Sequence, residues 1–464
     1  MALLDILKNL PEVKGPIEKK LSFNVKLKWT LIVLIAFFVL ANVALYGLEA
    51  NSLERFEYLA IVLGTDFGSI ISLGIGPIVM ASIILQLLVG SKILDIDLTS
   101  DEGKKYFQSL QKISVFFFIL FEAIVYVLMR GLQAKPGFEF IVIFQLILGG
   151  LAIVFMDELV TKWGFGSGVS LFILAGVGWR LFTGLFQFIG IQGGNCLISF
   201  SGEGSIACAG KILVIIQSVV NNAPNEALKA FAIILVTAII FAAVVWAQSL
   251  KVEVPLSFDR LRGYGLKWPL AFFYASVIPV ILVAALSANL QLFAGLIENW
   301  IGHSTFLGTF SQGTPIAGLA YWIGSSNLVE AFITGSFQLR MLFQGVFHIL
   351  FYMVFSTIFA VFWVKTSGMD AQSQAHNIMS SGLQIPGFRK DERVLESVLS
   401  RYIMPLTIMG GAAIGLLAAS ADLLGALTSG TAILLAVMIS YQFYQNIAQQ
   451  HAVDMHPALK KVMG

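Results

Sequence analysis

Charge is scarce in this chain. Only 12% of its 464 residues are Asp, Glu, Lys or Arg, 57% are hydrophobic, and the mean hydropathy is +0.85. A soluble domain of this length cannot carry so apolar a surface, so the composition reads as a polytopic membrane protein. Reactive groups are equally sparse. There are five His and two Cys, no HExxH metal motif and no GxxxxGK(S/T) phosphate cradle, which removes the commonest zinc-hydrolase and nucleotide-binding readings. The run Gly164-Phe-Gly-Ser-Gly has Phe165 where a rhomboid-like GxSG serine site requires Gly, and His348 is the sole histidine inside an apolar span. One histidine does not build a site. An ion-coupled carrier needs several buried carboxylates or a cation-coordinating cluster. The spans hold only Glu122 and Arg180 at depth, with Asp157-Glu158 near a cytoplasmic end. Each of these is most simply a structural ion pair or hydrogen-bonded group.

What is abundant is long apolar runs. Stretches able to cross a bilayer fall at 29–47, 70–90, 110–130, 139–160, 168–188, 230–249, 270–293, 341–364, 403–421 and 432–448, which makes ten spans. The first twenty residues carry Lys8, Lys14, Lys19 and Lys20 without a continuous apolar core, so no cleavable signal peptide is expected there. Leu3, Ile6, Leu7 and Leu10 share one helical face before Pro11, the pattern of a short interfacial helix. With ten spans both termini lie on one side. Placing them in the cytoplasm puts most of the 29 basic residues inside, as the positive-inside rule requires. Five spans per half is an odd number, so a repeated half sits inverted relative to the other, an arrangement common in transport proteins.

One stretch breaks the pattern. Tyr58 to Gly64 is apolar but short, and seven helical residues reach about 10 Å against a hydrocarbon core of about 30 Å. It reads as a half-inserted helix. After Thr65-Asp66 comes Ile70 to Val89, long enough to span yet interrupted by Gly74, Gly76 and Pro77. Irregular backbone at membrane depth survives only when buried in protein or lining a water-filled cavity, so this stretch points to a pathway. A pathway lined by aliphatic and small residues suits diverse cargo, because a narrow apolar constriction dewets and blocks ions when empty.

The segments 250–269 and 365–402 are long, basic and punctuated by Gly and Pro, so they read as shaped cytoplasmic loops. An external segment, 294–338, contains the half-apolar run Pro315 to Ile323. Cys196 and Cys208 both fall in the external loop 189–229, which leaves a disulfide and two free thiols as alternatives.

Phe23 to Thr30, Leu73 to Val79, Gln86 to Gly90, Gly164 to Ile173, Ile278 to Ile281 and Pro386 to Arg389 together resemble the SecY family, the channel-forming subunit of the Sec protein translocase, in wording closer to its archaeal branch. The resemblance runs in order over nearly the whole chain. It implies an all-α polytopic protein of the cell membrane, with ten transmembrane helices in two inverted five-helix halves around an hourglass pore. The domains are then a cytoplasmic N-terminal segment 1–28, an N-terminal half 29–188, a C-terminal half 230–449 and a cytoplasmic tail 450–464. The pore ring would be Ile75, Val79, Val169, Ile173, Ile281 and Leu435. The plug would be about 54–66, with Phe56, Tyr58, Leu59, Ala60, Ile61, Val62, Leu63 and Gly64. The lateral gate would lie between the second and third spans and the seventh and eighth, with Gln86, Glu122 and Asn289 as its polar residues. Met80 stands there where relatives often carry a small polar residue. Arg260, Arg262, Lys267, Arg389 and Lys390 match the family's ribosome-docking loops, where cations suit RNA phosphates and acidic protein surfaces.

The implied partners are a SecE-like clamp subunit, a small single-span third subunit, the ribosome, signal-sequence-bearing polypeptides and membrane lipid, with no catalysis and no cofactor. Function on this reading is passage of unfolded polypeptides across the membrane and lateral release of signal sequences and membrane spans into lipid. The competing reading from topology alone is a secondary transporter of a small solute.

Overall fold

The computed structural model describes residues 11–17, 21–49, 68–90, 93–94, 96, 101–129, 132–190, 195–197, 207–258, 265–275, 278–311, 314–380, 383–384 and 391–455. The interfacial helix expected over Leu3 to Leu10 lies outside them. Eight helices among the described residues are long and apolar enough to cross a membrane. They are α1 (Phe23–Ala41), α3 (Asp101–Leu128), α4 (Glu139–Trp163), α5 (Gly168–Phe186), α7 (Pro224–Ser249), α8 (Ile278–Ile301), α11 (Leu339–Thr366) and α13 (Glu392–Leu423). Two more helices complete the layout: α2 (Gly76–Gly90), which is short, and α14 (Gly430–Met455), whose second half is polar. All ten expected spans correspond to a helix.

The second span departs from its expected helix in an instructive way. Only 15 residues are helical, about 22 Å at 1.5 Å per residue and short of the hydrocarbon thickness. Residues 69–75 precede it as buried turns, and their backbone groups bond within the protein: Leu45 N–H donates to Gly68 O at 2.7 Å, Ile70 N–H to Val43 O at 2.9 Å, and Gly68 N–H to Ser72 Oγ at 2.7 Å. Gly74 sits at φ +52°, a backbone conformation glycine adopts without penalty. Gly149 on α4 lets this irregular strip lie flat, since a Cβ there would come 1.8 Å from Ile70 O.

Three boundaries move from their expected positions. α1 starts at Phe23 rather than residue 29 and takes Lys26 and Lys28 into its first turns, where long side chains can reach the interface. The seventh span starts at Ile278 rather than residue 270 because β2 (Gly265–Ala271) pairs antiparallel with β1 (Lys251–Phe258), and Leu270, Tyr274 and Ala275 pack beneath the loop with Val254, Ala360 and Leu399. α13 starts at Glu392, where the Asp391 carboxylate accepts from Arg393 N–H at 3.0 Å as its N-cap. α13 therefore reaches well into the loop 365–402. The strand β5 (Leu383–Gln384), beyond α12 (Ala371–Ser380), adds to β1, giving a three-stranded sheet of order β2-β1-β5 that joins the segments 250–269 and 365–402.

On the opposite face, α6 (Lys211–Val220) lies inside the segment expected to be only a loop, and Cys196 and Cys208 are joined in a disulfide with Cα atoms 5.3 Å apart. Cys208 N–H donates to Gln217 Oε1 of α6 at 2.9 Å, so the bond ties the loop to that helix. The segment 294–338 carries the ribbon β3 (Thr309–Ser311) and β4 (Thr314–Ala317) with two short helices, α9 (Leu319–Ile323) and α10 (Leu328–Ile333). Gln344 and His348 of α11 hold α9 through the carbonyls of Tyr321 and Ile323, at 2.7 and 2.6 Å.

Residues 11–17 lie along the C-terminal end of α4. Val13 N–H donates to Glu158 at 2.9 Å, Lys162 bonds Glu12 and Val13 O, and Trp163 Nε1 donates to Lys14 O at 2.9 Å. The Lys162 ammonium holds the Glu12 carboxyl below its ordinary value. Such a group adds stability above its unfolded value and loses it as pH falls through the folded one. The protection factors of the amides of residues 12–15 and 17, after correction for the intrinsic pH dependence of exchange, are therefore expected to fall on acidification in the wild type, while Glu12→Gln is expected to be poorly protected already at neutral pH. Reduction of Cys196–Cys208, which closes a loop of sequence separation 12, is expected to remove about 2–4 kcal/mol of local stability. Thiol labelling before and after reductant, followed by a thermal melt, checks this.

Candidate functional site

α8 is the central helix. Of its most apolar window, 78% is buried inside the protein, against 17–50% for the other long spans. It packs against α2, α11, α13 and α14, and the N-terminal helices meet the C-terminal ones where α2 packs on α8 and α11, and α5 and α1 on α14.

Ile75, Val79, Ile173, Ile281 and Leu435 are buried in one apolar cluster, and Val169 packs against it half-buried. Four helices supply them. Val169 and Ile173 are one turn apart at the start of α5, and Ile281 is in the first turn of α8. On one side of this cluster lies a cavity of about 290 Å³. Val79, Val169 and Ile281 line it together with Ser82, Gln86, Gln111, Asp157, Gln442 and Asn446. Gln111 Nε2 donates to Ser82 Oγ at 2.7 Å and so links α3 to α2. Ile78, Ile278, Leu282, Trp363 and Phe443 line it as well, so the cavity wall mixes polar and apolar side chains. Among the described residues no three His, Cys, Asp or Glu side chains are grouped to hold a metal.

The four gate positions do not form one group around that cavity. Gln86 lines it, whereas Glu122, Asn289 and Met80 do not. Met80 is half-buried against the central cluster. Glu122 and Asn289 are 1% and 2% exposed, in the contact where α3, α2 and α8 pack with Ile119, Ala123, Ala288 and Leu292. Phe121 and Phe293 touch there, ring centroids 6.4 Å apart. Asn289 Nδ2 donates to Ala285 O at 2.8 Å, yet its Oδ1, both Glu122 oxygens and Gln86 Oε1 have no hydrogen-bond partner among the described residues. A buried polar atom left unpaired costs free energy, so this seam is weaker than an all-apolar one.

The plug segment 54–66 lies outside the described residues, as do Arg260, Arg262, Arg389 and Lys390. Lys267 falls in β2, opposite Pro255 of β1. Sequence reasoning passed over Ser82, Gln111 and Asn446, because isolated polar residues in apolar spans carry no motif.

A SecY family profile matches residues 69–444, most of the chain and eight of the ten spans in full. The chain belongs to the SecY family. The protein translocase subunit SecY of Methanothermobacter thermautotrophicus is 42% identical over 460 residues, covering 98% of this chain and 97% of that one. A solved protein-conducting channel is similar at TM-score 0.83 and 34% identity, covering 98% of this chain and 99% of that one. A SecY structure whose plug domain stabilises the closed state and maintains a membrane seal follows at 0.81 and 34%, with the same coverage. The Sec61 channel of a canine ribosome–channel complex matches at 0.79 and 33%, again over 98% and 99%. The ten helices described above are thus those of the SecY fold.

Within that fold, removal of the unpaired polar atoms has a defined expected effect. Glu122→Met and Asn289→Leu are each expected to stabilise the closed protein by about 1–3 kcal/mol. A rise in melting temperature of the purified protein checks this, and a fall would show that the two side chains are satisfied.

Proposed function

We propose that this chain is the channel-forming subunit of a Sec-type translocase in the cell membrane, with both termini in the cytoplasm. It passes unfolded polypeptides and releases signal sequences and membrane spans sideways into lipid. The observation that carries the reading is the aliphatic cluster gathered from the start of α2 and from α5, α8 and α14, beside a cavity lined by polar and apolar side chains. Ile75, Val79, Val169, Ile173, Ile281 and Leu435 form a gasket that dewets around a closed pore and yields to a passing chain of any sequence. No catalytic step is required, because work comes from a partner and each cargo segment partitions by its own transfer free energy.

Residues 54–66 act as the plug on the outer side. The weak seam at Glu122 and Asn289, between α2–α3 and α8–α11, acts as the lateral gate. The loops 250–269 and 365–402, joined by the sheet β2-β1-β5, carry Arg260, Arg262, Lys267, Arg389 and Lys390 to a ribosome, whose phosphates position the complex without sequence readout. The ribosome-bound Sec61 relative supports that assignment. A SecE-like clamp and a small single-span subunit complete the unit.

Planar-bilayer conductance tests the reading. The intact channel is expected to stay sealed, and deletion of 54–66 is expected to give large, flickering, poorly selective openings. Silence of both forms, with solute uptake following an ion gradient, would favour a small-solute transporter instead.

A further inference from the structure

The turn between α4 and α5 carries the run Gly164 to Gly168, which serves no serine chemistry. The residue before α5, Ser167, makes no side-chain capping bond, so the first turn of that helix lacks its usual local acceptor. Asp157, on the last turns of α4, supplies the acceptor from across the turn: Val169 N–H donates to its Oδ1 at 2.9 Å. The contact depends on a bare backbone at Gly168, where a Cβ would stand 2.5 Å from Asp157 Cα and 2.8 Å from Oδ1. From the other side Thr30 of α1 accepts from Phe165 N–H at 3.1 Å, and the Phe23 and Phe165 rings pack with centroids 5.2 Å apart. The neighbouring carboxylate turns elsewhere, Glu158 pairing with Lys112 of α3 and accepting from Val13 N–H.

We propose that Asp157 is a positioning residue of the constriction, fixing the height and rotation of α5 so that Val169 and Ile173 meet Val79, Ile281 and Leu435. The inference rests on the reading of those residues as the pore gasket. Val169 is at once the amide that Asp157 holds and the side chain offered to the cluster, so a slip of α5 would move one gasket residue directly. Ile173, one turn on, follows rigidly. The negative end of the bond also complements the positive pole of the α5 N-terminus.

The test uses the purified full-length complex lacking residues 54–66, so that the gasket alone limits ion flow. Asp157→Ala is expected to raise the open-state occupancy about tenfold, the effect of losing one charge-assisted hydrogen bond in the closed state. Asp157→Asn keeps an acceptor oxygen without the charge and is expected to open clearly less than Asp157→Ala. Glu158→Gln, which loosens the N-terminal strap and leaves α5 untouched, is expected to match the parent. Gly168→Ala, which keeps the carboxylate but forces the two elements apart, is expected to open the channel as Asp157→Ala does, and serves if that variant fails to fold. Unchanged openings in Asp157→Ala or Gly168→Ala, equal opening in Glu158→Gln, or an Asp157→Asn as open as Asp157→Ala would each overturn the proposal. A silent parent would instead overturn the channel reading itself, so the two failures are distinguishable.

Discussion

Backbone N–H and C=O groups at membrane depth have no water to bond, so any departure from helix there must be satisfied by the protein. The strip 69–75 makes the largest such departure among the described residues, and much of the N-terminal half is arranged to accommodate it. Val43 and Leu45, beyond the end of α1, pair with it in the manner of a strand, Ser72 closes it internally, and Gly149 on α4 gives up its side chain so that Ile70 can approach. A shortened α2 is the result, which brings Ile75 and Val79 to the middle of the molecule at the very start of a helix. Small residues repeat the device in the C-terminal half, where Gly411 and Gly415 of α13 let the backbone of α11 approach at Thr357 and Tyr352.

The seam between the halves is built to a different standard. Around α8 the protein buries Glu122 and Asn289 with oxygens unpaired among the described residues, and Gln86 opens onto the cavity. Such a contact holds the halves together while keeping the cost of parting them low.

Much of this was legible in the sequence. The ten spans could be read from apolar runs, and the Gly74-Ile-Gly-Pro77 break located the irregular strip, because both signals are local. Boundaries slipped where a tertiary contact decided them: at Lys26 and Lys28, which a hydropathy pattern assigns to water, and at residues 270–275, apolar because they floor the three-stranded sheet rather than cross lipid. The ten-residue α6 is too short to announce itself as more than loop, and the state of Cys196 and Cys208 depended on a fold that brings them within reach. The gasket positions came from family resemblance alone, since an Ile or Val facing a pore is chemically the same as one facing a core. Asp157 was legible only as a structural ion pair or hydrogen-bonded group, because its partner lies 12 residues away across a turn, outside the reach of any capping pattern.

The three-stranded sheet has a mechanical meaning. β1 and β2 belong to the loop before α8, while β5 belongs to the loop before α13, and their pairing makes one body of two segments otherwise far apart in the chain. Only six residues separate the end of β2 from the start of α8, the most enclosed of the long apolar spans. A load placed on either segment is therefore shared by both and reaches the central helix over a short link.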